Sequence, residues 1–476
     1  MALAESSGNG TEFVMPARDG AALAAEAGAL LRRLFPICRS LTGDGVRQTL
    51  AILQETAPFD VREIASGTPC YDWTVPDEWN IRAAWIEGPS GQRIVDFADN
   101  NLHVVNYSVP VDAVLSFDEL DRHLHTLPDL PEAIPYRTAY YNRRWGFCLS
   151  HRQYLALDRR AAYRVHIDAT LAPGHLTYGE ARLDGVSGEE FLISTYCCHP
   201  SLANDNLSGV VLWTLLLREL RRGPRRHAYR FVIVPETIGA IAYLAHNETA
   251  MQRLAGGFIP TTVAGPGPFG YKQTFLGDHR IDRAVRQTFK ELRLDHAAYP
   301  FDINGSDETH YSAPFFRIPI GTISKDKYYE YPQYHTSLDN LDFIRPGHLV
   351  ETLTLYLLAI EKLELDLTYR SLNPYSEPML GKRGLYPQTG GSIKQPAVDL
   401  NRNHLERQYT ISEGRITYGS ELDAIRWVTF LSDGATSLLQ IAERCGFPLR
   451  QLYESAERLV QHGLLKRAGG QAGRTA

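Results

Sequence analysis

The chain has 476 residues, of which 44% are hydrophobic, 10% aromatic and 22% charged. At roughly 150 residues per domain, this length predicts two to four domains. The composition is typical of a folded globular protein and excludes the disordered, collagen-like and coiled-coil classes. The formal net charge of -6 excludes a polybasic chain, so the composition favours neither nucleic acid nor an anionic membrane as a partner.

Six cysteines are too sparse for a disulfide framework, which favours a cytoplasmic location. The opening residues, MALAESSGNGTEF, lack the basic and apolar regions of a secretory signal. We therefore expect residues 1–20 to form a disordered leader. The longest apolar runs, such as VVLWTLLL at 210–217, are shorter than the roughly 20 residues of a membrane helix, so no membrane contact is expected.

The chain then predicts an α/β domain that is interrupted by a β-rich insertion. Apolar spacing predicts two amphipathic helices within 21–57. Short alternating runs rich in Tyr, Trp and Val predict an inserted β-rich domain over 68–178. Strand and helix patterns alternate from 189 to 363, which predicts a mostly parallel sheet covered by helices. We assign the α/β domain to 21–67 and 179–370.

The C-terminal part predicts a connector and a small helical domain. Residues 371–419 are rich in Pro and Gly at their start and are expected to connect the two domains. Residues 420–467 show three short helical patterns followed by HGLLKR, which is typical of a winged helix-turn-helix. Residues 468–476 are expected to be a loose tail.

Functional polar residues follow two buried strands of the predicted sheet. His199 and Asp205 come just after the strand LISTYC, and Glu236 follows the next strand, FVIVP. Parallel sheets place ligands at the carboxyl ends of their strands, so these side chains are expected to meet at one edge. A further cluster, SDETHY and YPQYHTSLDN, contains His335 and Asp339.

Two histidines and an aspartate with a free glutamate are the residues that zinc hydrolysis requires. Neutral imidazoles and a carboxylate bind Zn²⁺ and leave one coordination position open. The metal acidifies water and polarises a carbonyl, while a nearby glutamate moves the proton. Taken singly, a histidine near a strand end is a common loop residue and a glutamate there is a common helix cap. Their combination at adjacent strand ends favours a metal site.

The segment HPSLANDNLSG resembles the part of the zinc aminopeptidase clan in which a His ligand precedes an Asp-Asn-x-Ser-Gly motif. PETIGAIAYL and YHTSLDN resemble the segments that supply the general base and the last His ligand. More narrowly, the chain is similar to a bacterial aminopeptidase-like family with an inserted β-domain and a winged-helix tail, and further matches include IPYRTAYYNRRWGFC. This resemblance implies an aminopeptidase or glutaminyl cyclase-like fold and a metallo-hydrolase.

The chain departs from the clan at two ligand positions. Thr237 stands where the clan has a second glutamate, and TTVAGPGP at 261–268 lacks the usual aspartate. The resemblance therefore implies one Zn²⁺ per chain on His199, Asp205 and His335, with Glu236 as the general base. A competing arrangement makes Glu236 a fourth ligand and gives the acid-base role to Asp307 or Glu308.

Several other polar residues have open roles. Asn206 is expected to shape the turn, and Tyr334 is a candidate donor to the oxyanion. Asp307 and Glu308 could orient His335 or begin a loop, and Asp339 could cap a helix or steady His335.

Cys198 could be a soft ligand or a buried small residue. From the inserted domain, Arg143, Arg144 and Trp145 could reach over the pocket or could form an aromatic core with solvated arginines.

Three functions fit these features. The first is a zinc-dependent hydrolase of a small peptide or amide conjugate that uses zinc-activated water. The second is single-zinc acyl transfer or cyclisation, as in glutaminyl cyclases. The third is a ligand-sensing, DNA-binding regulator without catalysis.

The charge of the winged helix argues against the regulator. Residues 421–467 contain six basic and six acidic side chains, so nucleic acid is not an expected partner. The opposing sets are Arg426, Arg444, Arg450, Arg458, Lys466 and Arg467 against Glu421, Asp423, Asp433, Glu443, Glu454 and Glu457. The winged helix or the inserted domain could instead support a homo-oligomer.

Overall fold

The computed structural model describes residues 19–386, 409–412, 415–418 and 421–468. The predicted leader, except its last two residues, and all but the first residue of the predicted tail lie outside these ranges, as does most of the second half of the predicted connector. The described chain forms two compact units. The first unit comprises the residues up to Gly277 together with Asp295–Tyr356, and the second comprises Asp278–Leu294 and the residues from Leu357 onward.

The described strands, in chain order, are β1 (Asp60–Ala65), β2 (Pro69–Cys70), β3 (Trp73–Thr74), β4 (Glu78–Glu87), β5 (Arg93–Asp96), β6 (Val111–Ser116), β7 (Leu124–His125), β8 (Phe147–Cys148), β9 (Ala162–Ala172), β10 (His175–Leu183), β11 (Glu190–Tyr196), β12 (Ala228–Val234), β13 (Gly256–Phe258), β14 (Phe269–Lys272), β15 (Ala297–Tyr299), β16 (Ile320–Lys325), β17 (Thr368–Ser371), β18 (Tyr409–Ser412), β19 (Arg415–Tyr418), β20 (Asp433–Ser437) and β21 (Leu465–Arg467).

The described α-helices are α1 (Gly20–Leu34), α2 (Asp44–Gln54), α3 (Phe117–Asp121), α4 (His151–Leu155), α5 (Gly209–Arg221), α6 (Ile238–His246), α7 (Glu248–Met251), α8 (Arg280–Leu292), α9 (Glu308–Tyr311), α10 (Pro346–Leu365), α11 (Glu421–Leu431), α12 (Leu438–Cys445) and α13 (Leu449–Gln461). Among the described helices, none combines the length and apolar character needed to cross a membrane.

An eight-stranded sheet organises the first unit, in the order β1-β10-β12-β11-β13-β16-β14-β15. Strands β12, β11, β13 and β16 are parallel neighbours, and antiparallel strands flank them on both sides. β11 is buried along nearly its whole length, as expected for a central strand that helices cover on both faces. The mostly parallel α/β sheet predicted from the sequence is confirmed.

The β-rich insertion forms a second sheet within the same unit. Four antiparallel strands lie in the order β5-β4-β9-β6. Burial alternates along β9, because one face of the strand packs inward while the other meets solvent. Buried side chains of both sheets belong to one continuous apolar cluster, which includes Trp79 and Val165 from the insertion and Val232 from the large sheet.

The second unit contains the predicted winged helix. Helices α11, α12 and α13 pack on one another, and a three-stranded sheet has the order β20-β17-β21. Its central strand, β17, precedes the connector in sequence. The sequence analysis did not identify this strand, since four residues with no clear alternation give no periodic signal.

Candidate metal centre

Two strand ends bring His199 and Glu236 to one edge of the large sheet. β11 and β12 run parallel, with Tyr196 opposite Val234 at their carboxyl ends. His199 follows the first strand by three residues and Glu236 follows the second by two. Because both strands end at the same level of the sheet, His199 Nε2 lies 3.8 Å from Glu236 Oε2.

Asp205 and His335 complete the cluster. Asp205 lies in the buried turn Ala203–Ser208, before α5, and its peptide bond to Asn206 is cis. Its Oδ2 atom lies 4.0 Å from Nε2 of His199 and 2.9 Å from Nε2 of His335. The structure therefore brings together the three residues that the sequence proposed as ligands.

The donor atoms of this cluster fit a metal ion. Asp205 Oδ2 and His335 Nε2 are buried and have no hydrogen-bond partner, although they face one another. His199, Asp205 and His335 each offer one ligand atom within 4.8 Å of the others. Buried polar atoms without partners are costly, and two imidazoles with one carboxylate are a donor set typical of Zn²⁺.

The charge states of two of these groups also suit metal binding. Burial lowers the pKa of His199 to about 4, so its imidazole is neutral at pH 7. Burial by itself would raise the pKa of Asp205, but His199 and His335 outweigh it and lower this pKa to about 2. Neutral imidazole and ionised carboxylate are the forms that bind metals.

The turn that carries Asp205 is held by Asp339. The two carboxylate oxygens of Asp339 accept the backbone N–H groups of Asn204 and Asp205 at 2.6 and 2.9 Å, and Tyr331 donates a further hydrogen bond at 3.2 Å. Burial raises the pKa of Asp339 to about 7. These contacts anchor the turn that carries Asp205.

Neighbouring polar groups orient Asp205 further. Tyr196 donates its hydroxyl to Asp205 Oδ1 at 2.6 Å. Asn206 turns the other way, and its amide donates to Thr195 Oγ1 and to the carbonyl of Tyr196 at 2.9 and 3.0 Å. These hydrogen bonds hold Asn206 against the end of β11, and Tyr196 is a contributor that the sequence analysis missed.

Glu236 stands beside a second buried carboxyl group. Asp307 Oδ1 accepts the backbone N–H of Thr237 at 2.7 Å, which fixes the residue next to Glu236. Burial, followed by the charges of Asp307 and Asp205, raises the pKa of Glu236. Burial also raises the pKa of Asp307, to about 7. Asp307 thus acts on the loop that carries Glu236.

Glu308 is engaged elsewhere. It forms a buried ion pair with Lys272 at 2.7 Å, and Tyr328 donates to the same carboxylate oxygen. Its other oxygen accepts the backbone N–H of Ser306. Since both oxygens have partners, the contacts of Glu308 give it a structural function in the 302–308 loop.

Cys198 lies next to the cluster, and its sulfur contacts the backbone of Glu236. Its Sγ atom accepts the backbone N–H of Glu236 at 3.3 Å and lies 3.6 Å from His199 Nδ1. Cys198, His199 and Glu236 form a second group with ligand atoms close together. Burial raises the pKa of the Cys198 thiol well above its usual range.

Two tyrosine rings border His335. The ring of Tyr334 stacks on His335 with centroids 4.0 Å apart. Tyr136, from the insertion, lies 5.1 Å from the His199 ring and 5.2 Å from the His335 ring. The sequence analysis did not single out Tyr136, and its only signal was a place within the segment IPYRTAYYNRRWGFC.

The sequence left two alternatives open for the residues of the insertion. Trp145 stacks on His123 at 3.7 Å and packs edge-on against Phe147. Arg143 is 72% exposed and its nearest carboxylate is Asp77, 3.9 Å away. These positions match an aromatic core with solvated arginines.

A buried arginine holds the loop of His199 through its backbone carbonyl. Arg39 is 1% exposed, and its Nε donates to the carbonyl of His199 at 2.9 Å. Its Nη1 donates to the carbonyl of Leu34 at the end of α1. Arg39 was also missed, because a single arginine after a predicted helix carries no sequence signal.

Comparisons with known families match nearly the whole chain. Residues 28–366 match a family described as a domain of unknown function, DUF4910. Residues 409–467 match a winged helix-turn-helix family.

A relative from Clostridium acetobutylicum is 39% identical over 437 residues, covering 92% of this chain and 95% of its own. It is named as a candidate polysaccharide biosynthesis protein with an aminopeptidase-like domain. The crystal structure of a candidate peptidase from C. acetobutylicum aligns with a TM-score of 0.83 at 37% identity, over 94% of this chain and 97% of that one. A zinc aminopeptidase from Bacillus subtilis aligns with a TM-score of 0.53 at 15% identity, over 73% of this chain and 96% of that one, and shares the fold.

The close packing under the turn gives a direct test. A Cβ atom at Gly209 would lie 2.1 Å from Asn206 Oδ1 and 2.5 Å from the carbonyl oxygen of Pro260. We expect Gly209→Ala to displace the turn and to weaken metal binding at least tenfold, measured by competition with a chromophoric chelator.

Gly347→Ala is the matched control, because it also lies in the first turn of a helix and its Cβ would meet no atom within 4 Å. This variant should bind metal as the wild type does. Equal metal affinities of the two variants would contradict the proposed role of the turn.

Proposed function

The chain belongs to the DUF4910 family, and we propose that it is a zinc-dependent hydrolase of an amide or peptide bond, with one zinc ion per chain. The observation that carries this proposal is the convergence of His199, Asp205 and His335 beside Glu236. The shared fold with a zinc aminopeptidase and the names of the C. acetobutylicum relatives support an aminopeptidase-like reaction on a small peptide or amide conjugate.

His199, Asp205 and His335 would hold the zinc ion. When bound, zinc acidifies water and polarises the carbonyl of the substrate. Glu236 would accept a proton from the attacking water at its carboxylate and return it to the leaving nitrogen. Burial raises the pKa of this carboxyl group, which makes its ionised form a stronger base. The hydroxyl of Tyr334, whose pKa is raised by burial and by Asp205, would stay protonated and donate to the oxyanion.

A single ion is favoured because the positions that would hold a second have other contacts. Thr237 replaces a carboxylate, and its backbone N–H binds Asp307. In the segment after β13, Thr261 hydrogen-bonds with the Tyr196 hydroxyl at 2.7 Å, and Ala264 donates its N–H to the side chain of Asn204. This segment supports the turn and offers no carboxylate.

Metal content tests the ligand set. Protein purified without a metal-chelating tag should contain about one zinc per chain by mass spectrometry, and His335→Ala should lose it because one of three ligands is removed. His310→Ala is the control, since this histidine is near the site in sequence but has Glu308 as its charged neighbour. Two metals per chain would contradict the single-ion centre, and absence of metal from the wild type would contradict the proposal.

The role of Glu236 separates the two arrangements left open by the sequence. Glu236→Gln should retain zinc and lower kcat by at least 100-fold on a responsive amide substrate, because a general base contributes about 10²–10⁴ in rate. Loss of zinc from this variant would make Glu236 a ligand instead.

Product analysis in the same assay distinguishes hydrolysis from ring closure, and ring closure without uptake of water would assign the cyclisation reaction.

The winged helix is proposed not to bind duplex DNA. Arg450 pairs with Glu361 at 2.5 Å, and Arg467 pairs with Glu457 at 2.7 Å. Arg458 also pairs with a carboxylate, Glu421. Because these cations are neutralised, phosphate contacts would be weak.

The full chain should therefore give no mobility shift with generic duplex at low salt. A shift that disappears as salt rises would instead favour the regulator. Arg450→Glu provides the control, since it should abolish any such shift if α13 contacts the duplex.

A further inference from the structure

We propose that the inserted β-domain completes the candidate metal centre, with Tyr136 as the positioning residue that fixes the orientation of the His199 and His335 imidazoles. The inference rests on the proposed zinc site. It concerns a residue that lies outside the α/β elements carrying the ligands.

Three aromatic rings form a closed set at this point. The Tyr136 ring lies 5.1 Å from the His199 ring and 5.2 Å from the His335 ring, the latter at an interplanar angle of 89°. The two imidazoles lie 5.5 Å apart. The contact with His335 is edge-to-face, whereas the contact with His199 is tilted at 52°. Aromatic rings in contact prefer particular orientations, so Tyr136 restricts how each imidazole can rotate.

The backbone of the same segment holds the His335 loop. The N–H of Tyr136 donates to the carbonyl of His335 at 2.8 Å, and the N–H of Ser337 donates to the carbonyl of Ile134 at 2.9 Å. Ile134 donates in turn to the Ser337 hydroxyl at 2.9 Å. The insertion thus pairs with the loop at His335 and again at Ser337, two residues further along the chain.

His335 needs such support because of its own backbone. Its φ angle is +54°, in the left-handed region that residues with a side chain seldom adopt. Conformations of this kind persist only where the surroundings determine them. The paired segment of the insertion supplies those surroundings.

The ring of Tyr136, and not its hydroxyl, carries the positioning function. The hydroxyl is 2.9 Å from the hydroxyl of Tyr140 and hydrogen-bonds to it, so it is engaged within the insertion. The side chain is 6% exposed. A phenylalanine would preserve every ring contact, whereas an aliphatic residue would lose them.

The test compares the zinc affinity of three full-length variants by chelator competition. Tyr136→Leu should bind zinc at least tenfold more weakly, since loss of a group that orients a ligand costs 10–100-fold in affinity. Tyr136→Phe should bind within about twofold of the wild type. Tyr141→Leu is the matched control, because this tyrosine of the same segment is 47% exposed. Its zinc affinity should also be unchanged.

A spectroscopic measurement and a fourth variant complete the design. The cobalt-substituted Tyr136→Leu protein should show an altered visible spectrum, while Tyr136→Phe should retain that of the wild type. If Tyr136→Leu does not fold, Ser337→Ala still tests the hydrogen bonds between the insertion and the His335 loop. Loss of the bond to the Ser337 hydroxyl should weaken zinc binding about two- to tenfold.

The outcomes distinguish this inference from the proposed function. Wild-type zinc affinity and an unchanged cobalt spectrum in Tyr136→Leu would overturn the inference and leave the hydrolase proposal intact. Equal losses in Tyr136→Phe and Tyr136→Leu would also overturn it, because the hydroxyl would then be responsible. A wild-type protein that binds no zinc would overturn the proposed function itself.

Discussion

The candidate centre depends on one buried carboxylate that contacts no ligand side chain. Asp339 accepts hydrogen bonds from two consecutive backbone N–H groups of the turn before α5. One of these N–H groups belongs to Asp205 itself. An unmet N–H at such depth would be costly. The turn therefore stays in the one arrangement that satisfies both groups, and Asp205 points at the two histidines as a result.

The remaining groups of the site lie on different elements of the fold. His199 and Glu236 follow the parallel strands β11 and β12, and His335 lies in the loop before α10. Arg39 ties the His199 carbonyl to α1, and Asp307 ties the residue after Glu236 to the 302–308 loop. Each potential ligand or base is thus fixed by a partner from a different part of the first unit, which favours a rigid, preorganised site.

The sequence predicted the parts of this site that follow from periodicity and motif order. Buried strands are visible as continuous apolar runs, so the placement of His199 and Glu236 at strand ends could be inferred, and the fold class with it. The contacts of Asp339 and Arg39 could not, since both bond to backbone groups that any residue provides. Tyr136 escaped notice for a related reason: its partners lie about 60 and 200 positions away in the sequence, and no local pattern links them.

The insertion joins the sheet at a single place. It leaves after β1 and returns at β10, and the last residue of one strand, Ala65, is the register partner of the first residue of the other, His175. Entry and exit are thus neighbours across one antiparallel ladder, where a short hairpin would be sufficient to close the chain. The insertion is therefore tied to the backbone of the large sheet at one ladder, and a change in its length would leave the register of the strands that carry the chemistry in place.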